Sequence, residues 1–274
     1  LPRLYMEYFR KDIEKTFSYE LIDLFDDPDN NHQEHNFGLL RNDLSEKPVF
    51  SSLQNTIALL EDPGTSFSPG TLEYELTGET DDIHQVLLQK RDGTFFLVPW
   101  QAVPSYDVPE DFKTGGVCDI LDPPAASVVL SLNEPVEHVR TYLPLNSTQP
   151  TETHDSPTEV TLEVPDHLSI VEIKPQRIQQ QIPLQKGWNL ISSYVRPDPT
   201  QLDSVFADIM AELVRVKSDT GGHFVPDQDT NTISHWKSDE AYAVYVRSET
   251  TLTLEGTALD LSKSISLQQG WNSV

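Results

Sequence analysis

The chain has 274 residues, 37% of them hydrophobic and 23% charged, so it can bury real cores and is not disordered as a whole. Lys+Arg is 19 against Asp+Glu 44, a formal charge of -25. That surface repels phosphate backbones and anionic lipid, which excludes nucleic-acid binding as the main task. No run of about 18 apolar residues occurs, so no membrane span is expected. The single Cys118 forms neither an internal disulfide nor a thiolate zinc site.

At about 150 residues per domain, the length predicts two domains or three small ones. The sequence starts Leu1-Pro2-Arg3, with neither initiator Met nor signal peptide, and stops at Trp271-Asn272-Ser273-Val274 inside a motif met earlier. It reads as a fragment. The acidity fits a salt-adapted surface or simply a soluble secreted one.

Residues 1–62 read as helix, strand, loop and helix. Leu4, Tyr5, Tyr8, Phe9 and Ile13 recur at helical spacing, and Pro2 suits a first turn. Residues 16–22, Thr-Phe-Ser-Tyr-Glu-Leu-Ile, alternate and are rich in β-formers, which predicts a strand. The polar stretch 26–34 predicts a loop. A helix follows over 48–60, with Val49, Phe50, Leu53, Ile57 and Leu60 as its apolar set, and Pro63-Gly64 stops it. Helix, strand and helix are a piece of a βα-repeat fold, too little to close a barrel or a doubly wound sheet.

From residue 71 to 173 the pattern changes to short strands, at 72–76, 86–90, 94–98, 128–132, 136–143, 159–164 and 168–173. Asp92-Gly93 marks a tight hairpin between the second and third. About seven such strands predict an antiparallel β-sandwich, interrupted by loops at 99–124 and 146–157. From residue 176 the motif Leu184-Gln185-Lys186-Gly187-Trp188-Asn189 is matched by Leu267-Gln268-Gln269-Gly270-Trp271-Asn272. Strands at 190–195, 213–216, 241–246 and 251–254 are expected, with a short helix over 202–209 capped by Asp198 or Thr200. This predicts a small α+β C-terminal module.

The first two units resemble the C-terminal end of a clan A glycoside hydrolase, where a (β/α)8 barrel ends in its eighth strand and helix and a β-sandwich is fused behind it. The resemblance is carried by Thr16-Phe17-Ser18-Tyr19-Glu20-Leu21-Ile22-Asp23, Asn36-Phe37-Gly38-Leu39-Leu40, and Asn42-Asp43-Leu44-Ser45-Glu46-Lys47-Pro48-Val49-Phe50 with Leu53. Leu44 stands where the family usually has Gly, and Val49-Phe50 replaces Ala-Tyr. Leu87 to Phe95 followed by Trp100, and Pro165-Asp166-His167-Leu168 before Ile170 and Glu172, resemble the fused sandwich. The Gly-Trp-Asn module resembles accessory domains at the ends of large secreted bacterial proteins, some from salt-loving lineages. The resemblance implies a barrel remnant over 1–64, a β-sandwich over 65–175 and an accessory module over 176–274.

It also implies a retaining mechanism with two carboxylates about 5 Å apart, both lying ahead of Leu1. The chain would then carry no catalytic residue and be inactive alone, as the non-catalytic portion of a secreted or cell-surface enzyme acting on carbohydrate. Its barrel piece would need the missing N-terminal part or another copy of the chain. The alternative is an extracellular structural or surface-assembly protein built on the same scaffold. Tyr19, Glu20 and Asp23 fall at the end of the eighth strand, where barrel active sites gather, and are the expected substrate-binding residues. A Tyr face stacks on a sugar ring and a carboxylate accepts from ring hydroxyls; the alternative is that all three serve the core.

Asp26-Asp27-Pro28-Asp29-Asn30-Asn31 has the hard oxygens calcium takes, without the twelve-residue loop, its Gly and its terminal Glu. A solvated acidic loop is the alternative. His32 and His35 flank Glu34 but lack a third ligand nearby, so no metal site is assigned. Trp100, Tyr106, Trp188, Trp236 and Trp271 offer a sugar platform, yet a Gly-Trp-Asn repeat reads more simply as core. On that reading Trp188 and Trp271 share one hydrophobic core, and Trp188→Ala would cost about 3–5 kcal/mol. Asn146-Ser147-Thr148 is a glycosylation sequon in a loop, and no Gly-x-Ser-x-Gly elbow supports a hydrolase triad.

Overall fold

The computed structural model describes residues 1–26, 33–67, 69–107, 119–238 and 240–259. The chain is mostly β, built from antiparallel sheets, and divides into two compact units, Leu1–Lys174 and Pro175–Val274.

The first unit opens with helix α1 (Pro2–Arg10) and, later, α2 (Pro48–Leu60), each with proline in its first turn. Ten strands follow: β1 (Tyr74–Gly78), β2 (Ile83–Gln89), β3 (Phe95–Gln101), β4 (Tyr106–Asp107), β5 (Asp119–Ile120), β6 (Ala126–Leu132), β7 (Val136–Tyr142), β8 (Glu152–Asp155), β9 (Glu159–Val164) and β10 (Ile170–Pro175). They form a three-stranded sheet β1-β6-β9 and a five-stranded sheet β2-β3-β10-β7-β8, with β4 and β5 paired apart. The architecture is compatible with a β-sandwich. Strand β9 shows why: Val160, Leu162 and Val164 are buried while Glu159, Thr161 and Glu163 are exposed, the period of a sheet with one wet face.

Strand β3 is different, because all seven of its residues are buried. Phe95 and Leu97 enter the core between the sheets, with Leu130, Leu162 and Ile173. Phe96, Val98 and Trp100 point the other way, into a second core with Tyr142, Ile170, Leu168 and the helix residues Met6, Leu59 and Leu60. The helices therefore lie on the outer face of the five-stranded sheet, which explains the unbroken apolar run of β3. Arg3 fixes α1 there, its Nη1 donating to the carbonyls of Gln101 (3.1 Å), Val103 (3.1 Å) and Asp166 (2.7 Å).

Several expectations are corrected. Residues 16–22 form no regular strand; Ile22 makes a single parallel bridge to Leu40, and only residues 20–23 run beside another segment, 37–40. Helix α1 ends at Arg10, short of Ile13, and its apolar stripe is not its packed face: Leu4 and Phe9 are exposed, while Arg3, Met6 and Glu7 meet the sheet. Helix α2 buries Ser52 and Thr56 and leaves Ile57 exposed, while Leu59 and Leu60 pack against the outer core of the sheet. The loop expected over 146–157 contains β8, which pairs with β7. The hairpin at Asp92-Gly93 forms as expected, with Asp92 Oδ1 accepting from the Thr94 amide at 3.0 Å.

The second unit contains β11 (Arg177–Leu184), β12 (Gly187–Ile191), β13 (Val195–Pro197), α3 (Leu202–Val205), β14 (Leu213–Ser218), β15 (His223–Val225), β16 (Thr230–Asn231), β17 (Tyr242–Val246) and β18 (Thr250–Ala258). Sheet β11-β18-β13 faces sheet β12-β17-β14-β15-β16 across a core of Leu184, Leu252 and Leu254 from one side and Ile191, Val216, Tyr242 and Val244 from the other. Helix α3 is one turn, extended by a 3-10 turn at Ala207–Ile209; its N-cap is Gln201, and Asp198 instead pairs with Arg177. Strand β11 was not expected, because its alternation is carried by glutamines facing solvent.

The largest correction is Trp188, which is 53% exposed rather than core. It sits on the outer face of β12, packed edge-on against Tyr245 at 5.2 Å with Lys217 Nζ 5.1 Å over its ring. The indole that fills this core is Trp236, stacked at 4.4 Å on Tyr242. Trp271 and the second Gly-Trp-Asn motif lie outside the described residues, as do Cys118, His32, residues 27–31 of the acidic loop and Gly115-Gly116.

Candidate functional site

The backbone from Glu20 to Asp23 runs beside residues 37–40. The Glu20 amide donates to Phe37 O (3.2 Å), Leu39 N to Glu20 O (3.1 Å), Leu40 N to Leu21 O (2.9 Å) and Asp23 N to Leu40 O (3.0 Å). The two segments touch so closely that a Cβ on Gly38 would lie 2.3 Å from the Asp23 nitrogen, so no other residue fits without moving the chain. Asp23 is 5% exposed, and its Oδ1 accepts from the Gly38 amide (2.8 Å) and from Lys47 Nζ (2.7 Å). Lys47 also donates to Asn36 O at 3.0 Å. Asp23 thus ties the segment to the turn before α2.

The three expected substrate residues have different surroundings. Tyr19 is exposed and meets Phe37 edge-on at 6.3 Å. Glu20 is half-buried, and its Oε1 is shielded from water with no hydrogen-bond partner among the described residues. Asp23 is buried and occupied. Around them in the chain Phe17, Leu21, Leu24, Phe25 and Leu44 are all exposed, a concentration of large apolar side chains in solvent.

Removing the Asp23 carboxylate leaves Lys47 without its counter-charge. Asp23→Ala is expected to cost about 3–5 kcal/mol locally, so the Gly38 amide should lose its hydrogen-exchange protection. Protection unchanged in the variant would mean that the segment is held by other contacts.

A second polar cluster went unseen in the sequence. On the outer face of the five-stranded sheet, Glu172 Oε1 faces His138 Nε2 at 2.9 Å and accepts from Arg140 Nη1 at 3.5 Å, while Tyr142 donates to Oε2 at 2.7 Å. Burial disfavours the Glu172 carboxylate, but the donors Tyr142 and His138 and the charge of Arg140 outweigh it and hold its pKa below the ordinary value. Burial and the neighbouring carboxylate push the Tyr142 phenol up to about 12. Both oxygens of Glu172 are engaged, so the quartet braces the sheet and offers no general base. The signal for it was present: His138, Arg140 and Tyr142 stand two apart on one strand and hence on one face.

A third charged group joins α1 to β2. Hydrogen bonding from Arg10 lowers the Glu7 pKa to about 2, against the cost of burial and with help from His84 and Lys11. A shallow groove in the second unit is lined by Asp198, Asp208 and Glu255, but each carboxylate already has a protein partner, respectively Arg177, the Thr253 amide and Gln179. Among the described residues no group of three or more His, Cys, Asp or Glu is placed to hold a metal ion, and no helix is long and apolar enough to cross a membrane. Trp100 and Trp236 are buried, Tyr106 and Trp188 exposed. No protein-family model and no curated protein matches the chain.

Proposed function

We propose that the chain is the non-catalytic C-terminal portion of a secreted or cell-surface glycoside hydrolase acting on polysaccharide or glycoside. In this reading residues 1–64 are the last elements of a (β/α)8 barrel, with the irregular segment 16–23 in the place of its final strand, 65–175 a fused β-sandwich and 176–274 an accessory module. The observation that carries it is the exposed apolar set Phe17, Tyr19, Leu21, Leu24 and Phe25 on a backbone that is nonetheless held in place by residues 37–40. Such a surface is what a barrel strand presents when its neighbours are not there to cover it. The outward apolar residues Leu4 and Phe9 of α1, and Ile13 just after it, fit the same missing partner. Tyr19 and Glu20 then form one wall of the cleft, and Asp23 holds that wall through Gly38 and Lys47.

The test joins the chain to the polypeptide that supplies the remaining barrel strands. The chain alone should release no reducing sugar from any glycoside. Joined, residues 16–25 should gain hydrogen-exchange protection and hydrolysis should appear, lost again when either of two added glutamates becomes glutamine. Protection without hydrolysis, and no such pair of glutamates, would favour the structural or surface-assembly protein. Sugar release by the chain alone that Glu20→Gln abolishes would overturn the reading outright.

A further inference from the structure

The Gly-Trp-Asn motif divides its labour. Gly187 takes a positive φ of 104°, which lets β11 turn into β12. Asn189 braces that hairpin, accepting from the Gln185 amide at 2.9 Å and donating to the Gln185 carbonyl at 2.8 Å. Both residues build structure. Trp188 contributes nothing to the core and is displayed outward, next to the 71% exposed Leu190.

Cross-strand register shows what shares that face. Trp188 stands opposite Tyr245, which stands opposite Arg215. In the next row Leu190 faces Ala243, Ala243 faces Lys217, and Lys217 faces His223. Directly opposed residues lie on the same side of a sheet, so aromatic and cationic side chains are interleaved there. Neither Arg215 nor Lys217 has a carboxylate partner among the described residues, although the chain carries 44 acidic residues to 19 basic ones. In the same unit Arg177, Lys237 and Arg247 are paired with acids, while Lys186 and Arg196, like Arg215 and Lys217, have no ion pair among the described residues. Lys217 rests over the Trp188 ring and neither cation is neutralised by a carboxylate, so this face is locally cationic within a chain whose net charge is acidic.

We propose that this face of the second unit binds an acidic, carboxylate-bearing polysaccharide. Strands lie about 4.8 Å apart, close to the length of one pyranose residue, so a chain crossing the strands meets one side chain per sugar. The apolar face of a sugar packs on the Trp188 indole, and carboxylates pair with Arg215 and Lys217. The charge excludes the nearest alternative, a neutral glycan, because uncharged sugar would bury the two cations without compensation. The inference stands on the face itself and shares only the carbohydrate class with the function proposed above. A chain that binds acidic glycan yet completes no barrel refutes that function and leaves this surface intact.

The experiment is affinity electrophoresis of the full chain in gels holding polygalacturonate or uncharged pullulan, with binding repeated as salt is raised. Polygalacturonate should retard the chain, salt should weaken it, and pullulan should not retard it. Trp188→Ala should weaken binding about tenfold. Arg215→Glu with Lys217→Glu should abolish it. Thermal unfolding should be unchanged in Trp188→Ala, which separates lost binding from lost folding. Equal retardation of the variants, or equal binding of pullulan, overturns the proposal. So does a dimer in sedimentation that Trp188→Ala dissociates, which would assign the face to a second copy of the chain.

Discussion

Replacing Trp100 by alanine is expected to destabilise the first unit by about 3–5 kcal/mol, the range for deleting a large buried aromatic. The indole is 1% exposed and lies where two layers meet, with Phe96, Val98 and Ile170 from the sheet and Met6, Leu59 and Leu60 from the helices. His84, which faces Glu7 at 2.8 Å, also meets the indole edge-on at 5.9 Å, so the cavity would loosen the polar contact that anchors α1 as well. For a unit of this size the loss corresponds to a melting shift on the order of 10 °C. Differential scanning calorimetry measures it, and Trp188→Ala serves as the control, expected within about 0.5 kcal/mol of the parent because that indole is exposed. A Trp100 variant that melts with the parent would show that the helices do not depend on this core.

The contrast between the two tryptophans marks what the sequence made legible. Strand β9 was readable from its period of two, and β2 and β3 from apolar β-forming runs joined by the Asp92-Gly93 turn signal. Helix α2 was readable to the residue, since Pro48 and Pro63-Gly64 bracket it. Which face of a helix packs was not readable. In α1 the apolar stripe faces out because the sheet is met by Arg3, whose guanidinium finds three carbonyls that no sequence pattern announces. Trp188 was misread for a related reason. Its neighbours Leu190 and Leu184 are apolar, yet Leu184 ends β11 in the core while Leu190 shares with Trp188 the outer face of β12, whose inner face is marked by buried Ile191. Of the expected site residues, Asp23 shows how a carboxylate at a strand end can be taken up wholly by a backbone amide and a lysine.

Three members of the Glu172 quartet share one face of one strand, but Glu172 comes from another strand that is its neighbour only in the folded sheet, and the pH behaviour of the quartet is the sharpest check on it. The folded-state pKa of Glu172 lies below its ordinary value of 4.5. Its stabilisation is therefore fully present above that value and lost as pH falls through the lowered one. Tyr142 works in the opposite sense, its pKa raised from 10.0 to about 12. Its contribution is complete below 10.0 and lost as pH rises through about 12, on the order of 2–3 kcal/mol. Glu172→Ala is expected to cost about 3 kcal/mol near neutrality, because His138, Arg140 and the Tyr142 hydroxyl then lose their acceptor in a half-buried site. Glu172→Gln should flatten the acid limb of the stability curve while leaving part of the alkaline limb, since burial alone still raises the phenol. Tyr142→Phe should flatten the alkaline limb and leave Glu172 titrating on the acid side. Chemical denaturation across the pH range reads all three. Parallel curves for parent and Glu172→Gln in acid would mean that the carboxylate is not held by these donors, and the bracing role of the quartet would fall with it.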